Sequence, residues 1–218
     1  MATGVPYSTS VLTEVIDLAD ESTTCAIRPD FPIQAAEASG GLVNDAVPLV
    51  CGGFNRPNLI SDCYDPISAS PDPVATLSTP RAGSASVAIG RHLWVTGGFD
   101  GSSNVNSTEF VDIDGSVVEG PDLPIPTGVH CILKVNANTV FFMSGYKTFF
   151  FDYDSQVWTD GPVMNYDREF FGCGIMKMEN GSVTIVAAGG AKSKNNTEFL
   201  SLDDLNRLNW TPGNDPKT

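Results

Sequence analysis

Basic residues are scarce in this chain. Twelve lysines and arginines stand against 26 aspartates and glutamates in 218 residues, a formal net charge of −14. A phosphate backbone is held by clustered Lys and Arg, so this balance argues against a nucleic-acid partner. It reads as a solvated acidic surface, with a basic protein partner as the sharper alternative. No run of about 18 uninterrupted apolar residues occurs, so no segment reads as a membrane span. Residues 1–7, Met-Ala-Thr-Gly-Val-Pro-Tyr, have neither a basic start nor a long apolar core and are not expected to act as a signal peptide. A secreted form is expected to need residues ahead of them. Histidine is rarer still: only His92 and His130 are present, in different parts of the chain, and no Cys-x-x-Cys pair exists. No metal centre, cofactor site or catalytic constellation is therefore expected.

Helical periodicity is also missing, whereas glycine (21) and proline (15) are plentiful. The glycines are not scattered. Thr3-Gly4, Gly52-Gly53, Gly97-Gly98, Ser144-Gly145 and Gly189-Gly190 each end an apolar run. They recur with a period of about 45–50 residues, which is the length of a four-stranded repeat. A glycine pair at a strand end allows positive φ, or the approach of another chain where a Cβ would clash.

Each unit reads as an antiparallel meander of four strands. The clearest begins with Ser84–Ile89, turns at Gly90-Arg91 into His92–Thr96, and continues with a strand over 107–113. Asp114-Gly115 then leads into Ser116–Glu119. Full units are expected over 34–76, 82–121, 128–162 and 170–211, after a partial unit over 1–30. Together they form one domain over 1–213, with a tail at 214–218. The first two strands of each unit are nearly continuous in apolar residues, as strands buried on both faces should be. The outer strands alternate. Within 34–76 the fourth strand is the least regular, because Pro66, Pro71 and Pro73 interrupt it. Such sheets cover their apolar faces by stacking on one another.

The strand-Gly-Gly pattern resembles kelch repeats. So do the aromatic strand Phe149–Tyr153, the tryptophans Trp158 and Trp210, and the blocks Leu93–Gly98, Ser107–Phe110 and Gly120–Pro124. The resemblance runs from about residue 3 to 213. It implies an all-β, kelch-type β-propeller of about four full four-stranded blades plus a half blade. Kelch units usually close into six or seven blades, so an incomplete ring is expected: a fragment, a small propeller that closes imperfectly, or a chain whose open edges pair with another chain.

The resemblance also implies a non-enzymatic scaffold that binds a protein partner through inter-strand loops. Phe54–Ser61, Phe99–Ser107 and Ala191–Asn196 are the candidate loops. The alternative is an enzyme or glycan-binding propeller with a polar site at the tunnel mouth, similar to sialic-acid epimerases. For that reading Arg81, His130 and Arg168, together with Glu169, lie at or just before first strands and form a candidate binding rim. Loop anchoring by ordinary hydrogen bonds is the plainer reading of each. A copper site similar to that of galactose oxidase is not expected from two histidines. No adaptor domain of the kind that accompanies kelch repeats in ubiquitin ligases is visible. Phe149–Phe151 and the pair Phe170-Phe171 read as blade-to-blade packing, with an aromatic binding surface as the alternative.

Five cysteines remain. Cys51 and Cys63 flank the loop between adjacent strands of one unit, so a disulfide between them is expected. Cys131 and Cys173 lie on first strands of neighbouring units and meet only if one blade step brings them close enough. Cys25 is left over. Five reduced, buried thiols are the competing reading. Asn106, Asn180 and Asn195 stand in glycosylation sequons, as does Asn209 beside a packed tryptophan. The sequons lean towards a secreted or extracellular chain, with a cytoplasmic one as the alternative.

Overall fold

The computed structural model describes residues 11–15, 25–177, 179, 181–204 and 207–213. Strand is the only regular structure among them. In chain order the strands are β1 (Glu14–Val15), β2 (Ala26–Ile27), β3 (Ser39–Val43), β4 (Val47–Cys51), β5 (Phe54–Asn55), β6 (Asn58–Leu59) and β7 (Asp62–Tyr64). Next come β8 (Ala75–Thr76), β9 (Ala85–Ile89), β10 (His92–Thr96), β11 (Thr108–Asp112), β12 (Val117–Gly120) and β13 (Cys131–Lys134). The last are β14 (Thr139–Ser144), β15 (Lys147–Asp152), β16 (Val157–Asp160), β17 (Gly172–Lys177), β18 (Val183–Ala188), β19 (Thr197–Ser201) and β20 (Thr211–Pro212). No described helix is long and apolar enough to cross a membrane.

Four sheets have four antiparallel strands each: β3-β4-β7-β8, β9 to β12, β13 to β16, and β17 to β20. We call them blades 1 to 4. The first strands pack in sequence, β3 on β9, β9 on β13 and β13 on β17, so the blades stand in ring order; no comparable packing joins β17 to β3. Two short hairpins stand apart from the blades, β1-β2 before blade 1 and β5-β6 inside it. The second was not expected from the sequence: Arg56-Pro57 turns the loop back on itself, and Phe54 pairs with Leu59. In blade 1 the chain passes the three prolines as irregular loop and only then forms the two-residue fourth strand β8. Of the partial unit expected over 1–30, only residues 11–15 and 25–30, with β1 and β2, are described, and Thr3-Gly4 lies outside the described residues.

Alternation within the inner strands sends side chains to both neighbours. In β9, Val87 and Ile89 join Trp94 and Phe110 against Ile132, Val140 and Phe151 of blade 3, and all of them are buried. Between blades 3 and 4 the core is Phe141, Met143, Ile185 and Leu200 with Trp210. Glycine pairs seal the junctions between blades 1 and 2 and between blades 2 and 3. A Cβ on Gly97 would stand 2.6 Å from the carbonyl oxygen of Thr127 on the next blade, and φ there is 55°. The N–H of the second glycine, Gly98, donates to that same carbonyl at 2.7 Å. Only glycine fits so close an approach of two backbones.

Both cysteine pairs are joined. Cys51–Cys63 links adjacent strands of blade 1, and Cys131–Cys173 links the first strands of blades 3 and 4. One blade step is therefore short enough for the second pair, with Cα atoms 6.4 Å apart. Cys25 is free and exposed.

Candidate functional site

Arg81 and Arg168 do not form a rim. Both are buried, in equivalent places two blades apart, and each ties the loop before a first strand to the second and third strands of its own blade. Arg81 Nη1 donates to the carbonyls of Gly97 and Ser107, both at 2.8 Å, and Nη2 donates to Glu109 Oε1 at 2.9 Å. Glu109 also accepts the N–H groups of Ser78 and Thr79. In blade 4, Arg168 Nη1 donates to the carbonyls of Gly189 and Asn196, while Nε and Nη2 both reach Glu198 Oε1. Glu198 accepts the N–H groups of Asn165 and Tyr166. Every charge here is paired and hydrogen-bonded, the condition for a tolerable buried ion pair. Both arginine side chains hold loops by hydrogen bonds and lie buried beneath the surface.

His130 is likewise inside, between blades 2 and 3. Its Nε2 stands 2.8 Å from Thr96 Oγ1, and that hydroxyl donates to the carbonyl of Ala85. The hydroxyl's one proton is thereby used, so Nε2 carries the imidazole proton and donates it. Nδ1 has no partner among the described residues. Burial pushes the imidazolium pKa down to about 3, so the ring is neutral at ordinary pH.

The mouth is lined by other residues. A cavity of about 850 Å³ opens where loops from all four blades converge. Four aromatic side chains frame it: Phe54, Phe99, Tyr146 and Phe170. Phe99, Tyr146 and Phe170 are exposed, Phe170 by 64 %. Glu37, Arg56, Lys147 and Glu169 add charges of both signs. The Arg56 guanidinium lies 5.7 Å from the Phe54 ring centroid, within cation–π range. Lys192 bridges Asp167 and Glu169 at 2.9 and 2.8 Å, and these carboxylates raise its pKa.

The cavity wall also carries backbone strain. Glu37, Gly83, Val129 and Phe170 occupy the same position in successive blades, and all have positive φ: 56°, 61°, 52° and 54°. Only one is glycine. Left-handed backbone at a valine or phenylalanine is an outlier that surrounding structure must hold in place, and such positions concentrate at ligand-binding sites. In the aromatic pair at 170–171 the two residues part company. Phe171 packs against the core between blades 3 and 4, while Phe170 turns into the mouth.

Two of the three candidate loops reach the cavity, through Phe54, Arg56, Pro57 and Leu59 and through Phe99 and Asn104. The loop 191–196 meets its edge through Lys192 and Glu169. Glu37, Tyr146 and Lys147 were not singled out from the sequence, since nothing in their local pattern marks them. Among the sequons, Asn195 and Asn209 are exposed, whereas Asn106 is half-buried and donates to Asp122 Oδ2 at 3.2 Å. Asn180 lies outside the described residues. No group of three or more His, Cys, Asp or Glu able to hold a metal occurs among the described residues.

Stacked four-stranded antiparallel meanders around a common mouth define a β-propeller, and this chain has that fold. Residues 80–115, which span most of blade 2, match the kelch motif. A solved structure titled "Structure of YjhT" is similar in fold, with a TM-score of 0.68 at 15 % sequence identity. The match covers 88 % of this chain and 68 % of that one.

Proposed function

We propose that this propeller is a non-enzymatic interaction scaffold that engages a protein partner at the mouth. The observation that carries this reading is the exposed aromatic frame of Phe99, Tyr146 and Phe170 around a cavity of about 850 Å³. Exposed aromatic side chains on rigid loops supply large contact area at little cost in conformational entropy. The charged groups best placed for proton transfer by sequence position, Arg81, Arg168 and His130, are buried in anchoring contacts instead. A peptide that inserts an apolar side chain between the aromatics, with charges of both signs beside Arg56 and Glu169, suits the lining.

Selection of peptides from a displayed random library on the immobilised protein tests this reading. Enriched peptides should share an apolar or aromatic anchor, and Phe170→Asp should weaken their binding at least tenfold without lowering thermal stability. A mouth that enriches no peptide but binds an oligosaccharide, with Phe170→Asp abolishing that binding, would replace this reading with the glycan-binding one.

A further inference from the structure

The space between the outer strands of neighbouring blades is closed in one place and open in another. In blade 1 the loop between β7 and β8 runs over residues 65–74 and reaches across to blade 2. A Cβ on Gly115, in the β11–β12 turn, would stand 2.7 Å from the Val74 carbonyl oxygen, and Val74 packs on the core between these blades. The matching turn of blade 3, between β15 and β16, has only residues 153–156. A cavity of about 710 Å³ opens there between blades 3 and 4. It lies at the far end of the strands from the mouth: β14 begins at this cavity with Thr139 and ends at the mouth with Ser144.

The walls of this groove are apolar and its rim is acidic. Val135 and Phe150 of blade 3 and Leu202 and Leu208 of blade 4 line it, all half-buried against the core between these blades. Asp152 stands on the blade 3 rim and Asp203 on the blade 4 rim, both exposed. Asp152 Oδ1 accepts the N–H and the hydroxyl of Ser155 at 2.8 and 2.7 Å. Asp203 accepts the N–H of Val183 at 3.2 Å and the hydroxyl of Ser201 at 2.9 Å. These bonds fix the carboxylates without neutralising them, and neither forms an ion pair among the described residues. No lysine, arginine or histidine among the described residues lines the groove, whereas the mouth carries charges of both signs.

We propose that the groove between blades 3 and 4 docks a basic peptide segment of a partner protein, with an arginine or lysine beside an apolar residue. The cationic head pairs with Asp152 and Asp203 at the rim. Its methylene stem and the apolar neighbour lie on Phe150, Leu202 and Leu208, as long basic side chains lie on apolar surface elsewhere. A net charge of −14 draws such a segment in from a distance and repels an acidic one. The groove stands apart from the mouth, and this proposal does not rest on the reading of the mouth.

Selection from a displayed random peptide library on the immobilised Phe170→Asp variant tests it, because that substitution takes the aromatic frame of the mouth out of the selection. Enriched peptides should carry an arginine or lysine next to an apolar residue. One such synthetic peptide should bind less tightly as salt rises. Asp152→Asn with Asp203→Asn keeps an oxygen to accept the turn hydrogen bonds and removes both charges. It should weaken that peptide about tenfold or more, with the melting temperature unchanged. Thr159 is exposed, pairs with Phe150 across β15 and β16, and lines the same groove. Thr159→Arg places a guanidinium of the chain's own in the groove and should abolish binding. A selection that enriches no basic peptide overturns the proposal. So does a basic peptide that binds the double variant and Thr159→Arg as tightly as it binds the parent.

Discussion

Blades 2 and 4 hold a buried arginine–glutamate pair, and blades 1 and 3 do not. Where blade 2 has Arg81 and Glu109 and blade 4 has Arg168 and Glu198, blade 1 has Ala35 and Tyr64 and blade 3 has Thr127 and Phe149. All four blades make the same strand order. The ion pair is therefore one of several ways to hold the loop before the first strand, and it is not required by the fold. Blade 1 instead carries the Cys51–Cys63 bridge between its second and third strands, and blade 3 is bridged to blade 4 by Cys131–Cys173. The most chemically suggestive side chains of the molecule are thus interior fasteners. On the proposed reading, recognition falls to the exposed aromatic residues above them.

The largest effect should come from splitting an ion pair. Glu109→Ala leaves Arg81 charged and buried without its partner, and should cost about 3–5 kcal/mol. Replacing both groups together, as Arg81→Met with Glu109→Leu, removes the unpaired buried charge but still leaves the carbonyls of Gly97 and Ser107 and the N–H groups of Ser78 and Thr79 without these partners, and should cost less than Glu109→Ala alone. Urea unfolding of the single and double variants measures both. A double variant as unstable as the single one would mean that the pair does more in blade 2 than its absence from blade 3 suggests.

Removing the covalent fasteners comes next. The inter-blade bridge closes a sequence separation of 42 residues and the one within blade 1 a separation of 12. On chain-entropy grounds Cys131→Ala with Cys173→Ala should cost about 4 kcal/mol, and Cys51→Ala with Cys63→Ala about 3 kcal/mol. Denaturant midpoints under non-reducing conditions, set against the wild-type chain, give the order. The reverse order would show that the junction between blades 3 and 4 is held by its core alone.

The smallest effect concerns the junction between blades 2 and 3. His130 has its folded pKa lowered to about 3, below the ordinary value of 6.5, so the unfolded chain binds the proton first as pH falls. Its contribution is full above pH 6.5 and is lost as pH drops towards 3. The expected slope is about 1 kcal/mol per pH unit just below 6.5. His130→Gln should flatten that part of the stability profile, leaving the slope due to carboxylates. An unchanged slope would place the acid sensitivity elsewhere.

The glycine pairs made the blades legible in the sequence, because the close backbone approach between blades 1 and 2 and between blades 2 and 3 tolerates no Cβ. The apolar first and second strands followed from burial on two faces, and Cys51–Cys63 from adjacent strands. The mouth was harder to read. Position before a first strand places Arg81 and Arg168 near one end of the blade, but not on which side of the backbone the guanidinium lies. Their partners, Glu109 and Glu198, are some thirty residues away, with no local pattern to link them. Phe170 and Phe171 look alike as a pair of aromatics; the left-handed turn at Phe170 sends one outward and lets the other pack. Gly83, at the same place in blade 2, hints at that backbone, but Val129 and Phe170 conceal it.

The central claim is that recognition belongs to the exposed mouth and not to the buried arginines. The affinity of one selected peptide for three proteins tests it most directly: wild type, Phe170→Asp, and the Arg81→Met, Glu109→Leu double variant. The expected result is binding weakened at least tenfold by Phe170→Asp and unchanged in the folded double variant. Full affinity in Phe170→Asp with binding lost in the folded double variant would contradict it.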